Sequence, residues 1–332
     1  MLTFITYAVI LFFIEVLYIA IARRFNIIAK VSNSDNNENR QPVINGGGIL
    51  FFIATAIFFL FKNDSEGYFM SMPWPVFTAL AMLAIVSLID DMRELSPYVR
   101  LMCHVIAVSV MFFTLTSASS QMDVEWYWFP VFLLFGTAFI NTYNFMDGIT
   151  GITGCYSFTT LFSLFFIFFP ATLISPWYFI IPAIATAVFC AFNCRKHEVC
   201  FSGDAGSISM AYIILFPLAV WALYFKDISI ITLVSVYLVD AGMTIVLRLF
   251  RRENLLQRHH NHIYQLLVYR CRWNQILVAA IYSILQFAIT MGYVYTPAGR
   301  RGIYCLVAFI ALAATYLASR ALILRVTKAV NK

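Results

Sequence analysis

Two amides and a carboxylate, Asn141, Asn144 and Asp147, lie in Asn-Thr-Tyr-Asn-Phe-Met-Asp-Gly-Ile-Thr-Gly (Asn141–Gly151), directly after the apolar run Phe129–Ile140. At i, i+3 and i+6 they fall along roughly one face of a helix. Polar groups of this kind each cost several kcal/mol when left unsatisfied in lipid. The stretch is therefore either an ordinary helix end entering a turn or part of a site.

Asp90-Asp91 closes another apolar run. Two repelling carboxylates then sit at a helix C-terminus, where the backbone dipole disfavours anions. A nearby cation relieves both costs, as would Arg93 or Arg100 in a solvated loop. Phe201-Ser-Gly-Asp-Ala-Gly-Ser207 sets Asp204 among glycines at the start of an apolar run. Flanking glycines let a backbone approach a ligand closely, and a helix N-terminus favours anions. Asp204 also fits a simple N-cap. His259-His260-Asn261-His262 follows Arg251-Arg252 and Arg258. This density of donors suits a diphosphate, and equally a basic loop facing anionic lipid headgroups. Gly46-Gly47-Gly48 either cradles an anion or lets helices pack tightly.

Carboxylate and amide oxygens predominate in these clusters, which points to a hard cation, Mg²⁺ rather than Zn²⁺, with Mn²⁺ an acceptable substitute. The seven cysteines are scattered and no CxxC occurs. Cys194-x-x-His197-x-x-Cys200 is a weak zinc signal, and the cysteines read as reduced, mostly buried thiols.

The elements that must position these groups are membrane helices. The chain is 62% hydrophobic and 11% charged, with a mean hydropathy of +0.83, which excludes an ordinary soluble domain. Apolar runs predict an all-α polytopic protein, a single domain over 1–332 with its motifs within 46–265. Eleven spans are expected, at roughly 3–22, 46–62, 74–89, 98–118, 128–146, 152–169, 176–192, 207–225, 228–247, 274–295 and 303–324. The count falls to ten if the tight 146–152 gap is no crossing. The first run has no basic lead-in and no small-residue cleavage site, so it reads as a retained helix.

Lys and Arg give the expected orientation. Of 22 basic residues, 18 fall in the odd-numbered gaps or at the C-terminal end, leaving Lys62, Lys226, Arg300 and Arg301 on the other side. That puts the N-terminus outside and the C-terminus in the cytoplasm. Asp90-Asp91, Asn144, Asp147, Asp204 and the histidines then all lie on the cytoplasmic face. A hard-cation site beside basic groups at that face suits phosphoryl transfer. A transporter or flippase is the rival reading, opposed by the lack of a visible repeat and by acids gathered at one face.

Four motifs in this order carry a resemblance. They are Asp90-Asp91 with Leu95-Ser96-Pro97, Asn141-x-x-Asn144-Phe-Met-Asp147-Gly148, Gly203-Asp204-x-Gly206-Ser207, and His259-x-x-His262. From Gly46 to Gln265 the chain resembles the polyprenyl-phosphate N-acetylhexosamine-1-phosphate transferases, the group that includes WecA and MraY. The resemblance implies transfer of a sugar-1-phosphate from a UDP-N-acetylhexosamine to undecaprenyl phosphate with release of UMP. It implies a multi-pass protein of the inner (plasma) membrane working at an early step of O-antigen, capsule or envelope polysaccharide synthesis. Membrane lipid is then a partner, nucleic acid is not, and a homodimer is permitted.

By the same resemblance Asp204 is a magnesium ligand, with Asn144 and Asp147 in the same site. Asp90 activates or orients the lipid phosphate, Asp91 supports the region, and His259 and His262 engage the diphosphate or sugar. Asn141, Asn144, Thr150, Arg195, Lys196, Arg251, Arg252 and His260 are the expected substrate contacts. Two departures stand out. Thr150 occupies a position where the family usually carries an acid or amide near the nucleotide base. Arg195-Lys196-His197-Glu198 replaces a proline-rich lead-in. A degenerate member that only binds lipid-linked sugar draws its support from Thr150. Tyr264-Gln265 resembles the O-antigen and capsule initiating branch, which favours a simple N-acetylhexosamine such as GlcNAc, FucNAc or QuiNAc.

Overall fold

The computed structural model describes residues 2–29, 43–62, 67–195, 197–253 and 261–330, the last five as backbone only. Twelve helices follow one another: α1 (Leu2–Arg24), α2 (Ile49–Lys62), α3 (Trp74–Met92), α4 (Pro97–Ala118), α5 (Phe129–Met146), α6 (Ile152–Ala171), α7 (Trp177–Asn193), α8 (Gly203–Phe225), α9 (Ser235–Phe250), α10 (Ile263–Tyr269), α11 (Gln275–Tyr295) and α12 (Arg301–Val330). Among the described residues there is no strand, only isolated bridges. Among the described residues nine helical segments are long and apolar enough to cross a membrane, with α2 and α7 shorter. At 1.5 Å per residue the 14 residues of α2 reach about 21 Å, short of a hydrocarbon core of about 30 Å.

Each expected span meets a helix, and the architecture is that of a polytopic membrane protein. Several boundaries moved: 228–234 is a 3-10 stretch and α9 proper starts at Ser235, α12 runs on to Val330, and two shifts fall beside the motifs. The eighth helix starts at Gly203 rather than at 207, so Asp204 belongs to its first turn. The second starts at Ile49 rather than at 46, because Gly46–Gly48 form the turn before it. The short α10 is an added helix, too brief to show an apolar period.

Helix α8 is the hub. It is apolar on every side, the pattern of a helix enclosed by others, and it packs on α3, α5 and α2. Nearly its whole length from Ala205 to Leu223 is buried. By contrast α1 and α12 leave most of their residues exposed, as do Phe12, Phe13, Leu306 and Ile310. On a membrane protein such faces meet lipid.

A backbone seam ties α2 to α8. Phe201 N–H donates to Ile44 O at 2.8 Å, Gly47 N–H to Phe201 O at 2.9 Å, and Gly48 N–H to Ser202 O at 3.0 Å. A Cβ on Gly48 would collide with Gly206 Cα, and one on Gly206 with Gly48. Gly47 and Gly48 are therefore spent on close packing, which settles one of the two roles open for these glycines. Between α3 and α4, Ser96 caps α4 and Pro97 opens it, the usual chemistry of a helix start.

Candidate functional site

The end of α3 meets the start of α8. Asp91 accepts the N–H groups of Asp204 and Ala205, both at 2.9 Å, and the Asn45 amide at 2.8 Å. The unfavourable dipole at its own helix end is thus answered by the unpaired N–H groups of the next. Gly203 has φ +70°, and a Cβ there would strike Asp91 and Gly46. Glycine is needed at this crossing.

Asp90, one residue earlier, turns elsewhere. It accepts Leu95 N–H, and its Oδ2 lies 3.1 Å from Arg100 Nη1. The same Nη1 lies 3.1 Å from Asp204 Oδ2. Arg100 thus holds carboxylates from two helix ends, rather than pairing one acid in a solvated loop, and Arg93 is exposed. Asp90 is the more enclosed, with 8% of its side chain exposed against 26% for Asp204. Asp204 is not the N-cap of α8, a position held by Ser202. Its carboxylate faces Asp90 and the Asn144 amide.

Helix α5 brings the amide stretch to the same place. Its C-cap is Asp147, whose N–H donates to Asn144 O, and whose carboxylate accepts the Thr153 hydroxyl from the first turn of α6. Burial pushes the Asp147 carboxyl up to about 7, the Thr153 hydroxyl opposes the shift, and the Asp204 charge adds to it. Asn141 points away from this group. Its amide donates to Thr137 O at 2.8 Å and stands 3.4 Å from His104 Nδ1 on α4.

The turn at Gly148–Gly151 is fastened by residues far along the chain. Gly151, with φ +83°, donates its N–H to Asn193 Oδ1 at 2.7 Å. Thr150 is 3% exposed. Its N–H donates to Gln275 Oε1 at 2.7 Å and its hydroxyl to Glu198 Oε1 at 2.9 Å. A carboxylate, that of Glu198, thus lies directly against position 150.

His262 is buried at the start of α10, its Nδ1 3.3 Å from Asp240 Oδ1 on α9. Asp240 also accepts the N–H of Ile263 and the hydroxyl of Tyr282. Gln265 closes the His262 N-terminus, and Tyr264 donates to Phe145 O at 2.9 Å. Tyr264 and Gln265 therefore dock α10 on the end of α5. Arg195 is exposed and folds back on α7, its Nε donating to Ala191 O. Arg251 and Arg252 are exposed in the turn after α9, Arg251 3.9 Å from Glu253. Lys196, His259 and His260 lie outside the described residues.

Asp90, Asp91, Asn144, Asp147 and Asp204 come together, with His262 on the neighbouring α10. Arg195, Arg251 and Arg252 are not in contact with this group. Asp240, Gln275 and His104 escaped sequence reasoning: Asp240 and His104 sit singly in apolar runs, Gln275 reads as the polar start of α11, and each partner lies far along the chain. A lone acid in a membrane span was the available signal for Asp240.

The donors facing one another are oxygens, from Asp204, Asp90, Asn144 and, further off, Asp147. Two carboxylates share the Arg100 guanidinium, and Asp91 and Asp147 add negative charge close by, which leaves the cluster short of positive charge. That donor chemistry fits a hard divalent cation. Residues 73–225 match the family model described as Glycosyl transferase family 4. Over that region the chain is similar to this family, the MraY/WecA family. The match runs from α3 through α8 and carries all four aspartates. No curated protein matches the chain. Members of this family transfer phospho-sugars to polyprenyl phosphates from nucleotide-sugar donors and generally depend on a divalent metal.

Proposed function

We propose that the protein transfers N-acetylhexosamine-1-phosphate from a UDP-sugar to undecaprenyl phosphate, leaving a lipid diphosphate sugar and UMP. The observation that carries this reading is the Asp90–Arg100–Asp204 bridge, flanked by Asn144 and Asp147. An oxygen of the lipid phosphate attacks the sugar-linked phosphorus, forming a new P–O bond. The bond from that phosphorus to the bridging oxygen breaks, and UMP departs with the electron pair. The attacking phosphate is already anionic at neutral pH, so orientation rather than proton removal is the main demand on Asp90.

Asp204 and Asn144, with Asp90 and Asp147 beside them, would hold Mg²⁺ or Mn²⁺. When bound, the metal would neutralise charge on the diphosphate. Arg100 is placed to pair with a phosphate oxygen. Asp91 serves as a buttress, because its oxygens already accept two backbone N–H groups and an amide. His262, held against Asp240, and His259 would engage the diphosphate or sugar. The excess of Lys and Arg in the odd-numbered gaps supports a cytoplasmic site, an outward N-terminus and an inner-membrane location. A simple N-acetylhexosamine remains the proposed sugar, feeding O-antigen, capsule or envelope polysaccharide synthesis.

Membranes bearing the protein should convert UDP-GlcNAc, or a FucNAc or QuiNAc counterpart, and undecaprenyl phosphate into the lipid product in the presence of Mg²⁺. Mass detection of that lipid, with UMP release, is the measurement. No UMP from any donor of the panel would sink the proposal.

A further inference from the structure

We propose that Cys155, Cys190 and Cys194 form a binding site for a thiophilic metal ion of the Zn²⁺/Cu⁺ class, apart from the carboxylate centre. Their Sγ atoms all lie within 4.8 Å of one another, the one such group of three His, Cys, Asp or Glu residues among the described residues. Three thiolates around one ion at about 2.3 Å place their sulfurs about 3.8–4.0 Å apart. Small rotamer adjustments bring this group to that spacing. Soft thiolate sets select Cu⁺ and Zn²⁺ over the hard cations that suit carboxylates, so the two sites would not compete for one ion.

The backbone leaves room for the sulfurs. Cys155 is in the first turn of α6, while Cys190 and Cys194 are one turn apart at the end of α7. A Cβ at Gly154 would collide with Cys190 Sγ, and one at Gly151 would come within 3.0 Å of Cys194 Sγ. All three cysteines are free thiols and only partly buried, which leaves an entry path. The alternative set read from spacing, Cys194 with His197 and Cys200, is broken up by the fold. Cys200 is fully buried with its Sγ 3.3 Å from Glu15 Oε1 on α1.

An ion here would clamp two loops that flank the carboxylates. Asn193, beside Cys194, accepts the Gly151 N–H and donates to Cys200 O at 2.8 Å. The turn of Asp147–Gly151 and the segment leading to Asp204 would be joined through one metal centre.

The test uses full-length protein purified in detergent under reductant, loaded separately with Zn²⁺ and Cu⁺ and dialysed against a weak chelator. About one ion per chain should remain, and Co²⁺ should give a sulfur-to-cobalt charge-transfer band. Cys155→Ser, Cys190→Ser and Cys194→Ser should each lose the ion, while Cys103→Ser keeps it. Size exclusion confirms folding, and protection of the three thiols from iodoacetamide by Zn²⁺ in the wild-type chain gives a readout free of any variant. Retention of Cu⁺ alone or Zn²⁺ alone supports the site and names its metal. No retained ion with all three thiols open to alkylation would overturn it, as would retention in the triple Ser variant. A disulfide among the three in freshly isolated protein would equally overturn it in favour of a redox pair.

Discussion

His262 Nδ1 stands 3.3 Å from Asp240 Oδ1, and the two side chains are 2% and 4% exposed. The pair joins α10 to α9, and Tyr282 of α11, Thr244 of α9 and the Ile263 N–H also donate to Asp240. The carboxylate lies against a ring whose side chain also caps the backbone of Gln265 at the start of α10, so both partners fix where the imidazole sits. Asp240→Asn should lower transfer about 10–100-fold, the usual effect of losing such a partner. In a double-mutant cycle with His262→Gln the two losses should overlap rather than add. Full additivity in the lipid-product assay would show that Asp240 acts independently of His262.

Arg100 bridges Asp90 and Asp204. Arg100→Ala leaves both carboxylates without their cation, and the cost should be about 1–3 kcal/mol, less than for a fully buried pair because Arg100 is partly exposed. Added Mg²⁺ should recover most of that loss by taking over the neutralising charge. Thermal unfolding with and without Mg²⁺ checks this, and an equal loss in both conditions contradicts it.

Asp91 and Asp204 should fail differently. Asp204→Asn removes one charge from the site and should abolish turnover in a protein that still folds. Asp91→Asn turns an NH₂ group toward N–H donors that now bond a carboxylate, and should destabilise the fold by roughly 2–3 kcal/mol. Paired unfolding and activity measurements separate the two. Normal activity in Asp204→Asn would move the metal site elsewhere.

Thr150 donates its hydroxyl to Glu198 at 2.9 Å. Thr150→Asp therefore places a carboxylate against a carboxylate, and repulsion should lower both stability and apparent affinity for the UDP-sugar. Glu198→Gln in the same chain should restore much of each. An unchanged KM for the nucleotide sugar in Thr150→Asp would show that the position has no part in donor binding.

Much of this molecule is legible in local sequence. Runs of apolar residues long enough for a bilayer place the eleven principal helices, because length and hydropathy need no tertiary context. The residue types of the first three motifs identify oxygen donors for the same reason. Local pattern does not reveal direction. Asp90 and Asp91 are neighbours in sequence, but successive helical residues point about 100° apart, so one carboxylate meets Arg100 and the other the N-terminus of α8.

Partnerships across distance were equally hidden. Thr150 finds Glu198 and Gln275, His262 finds Asp240, and Cys155 joins Cys190 and Cys194 rather than the spacing-matched Cys194, His197 and Cys200. Composition and spacing determine which groups this chain can offer to a phosphate or a metal. Which of them meet is decided by helix packing around α8, where glycine-to-glycine contact and the N–H groups of a helix start set the approach of each side chain.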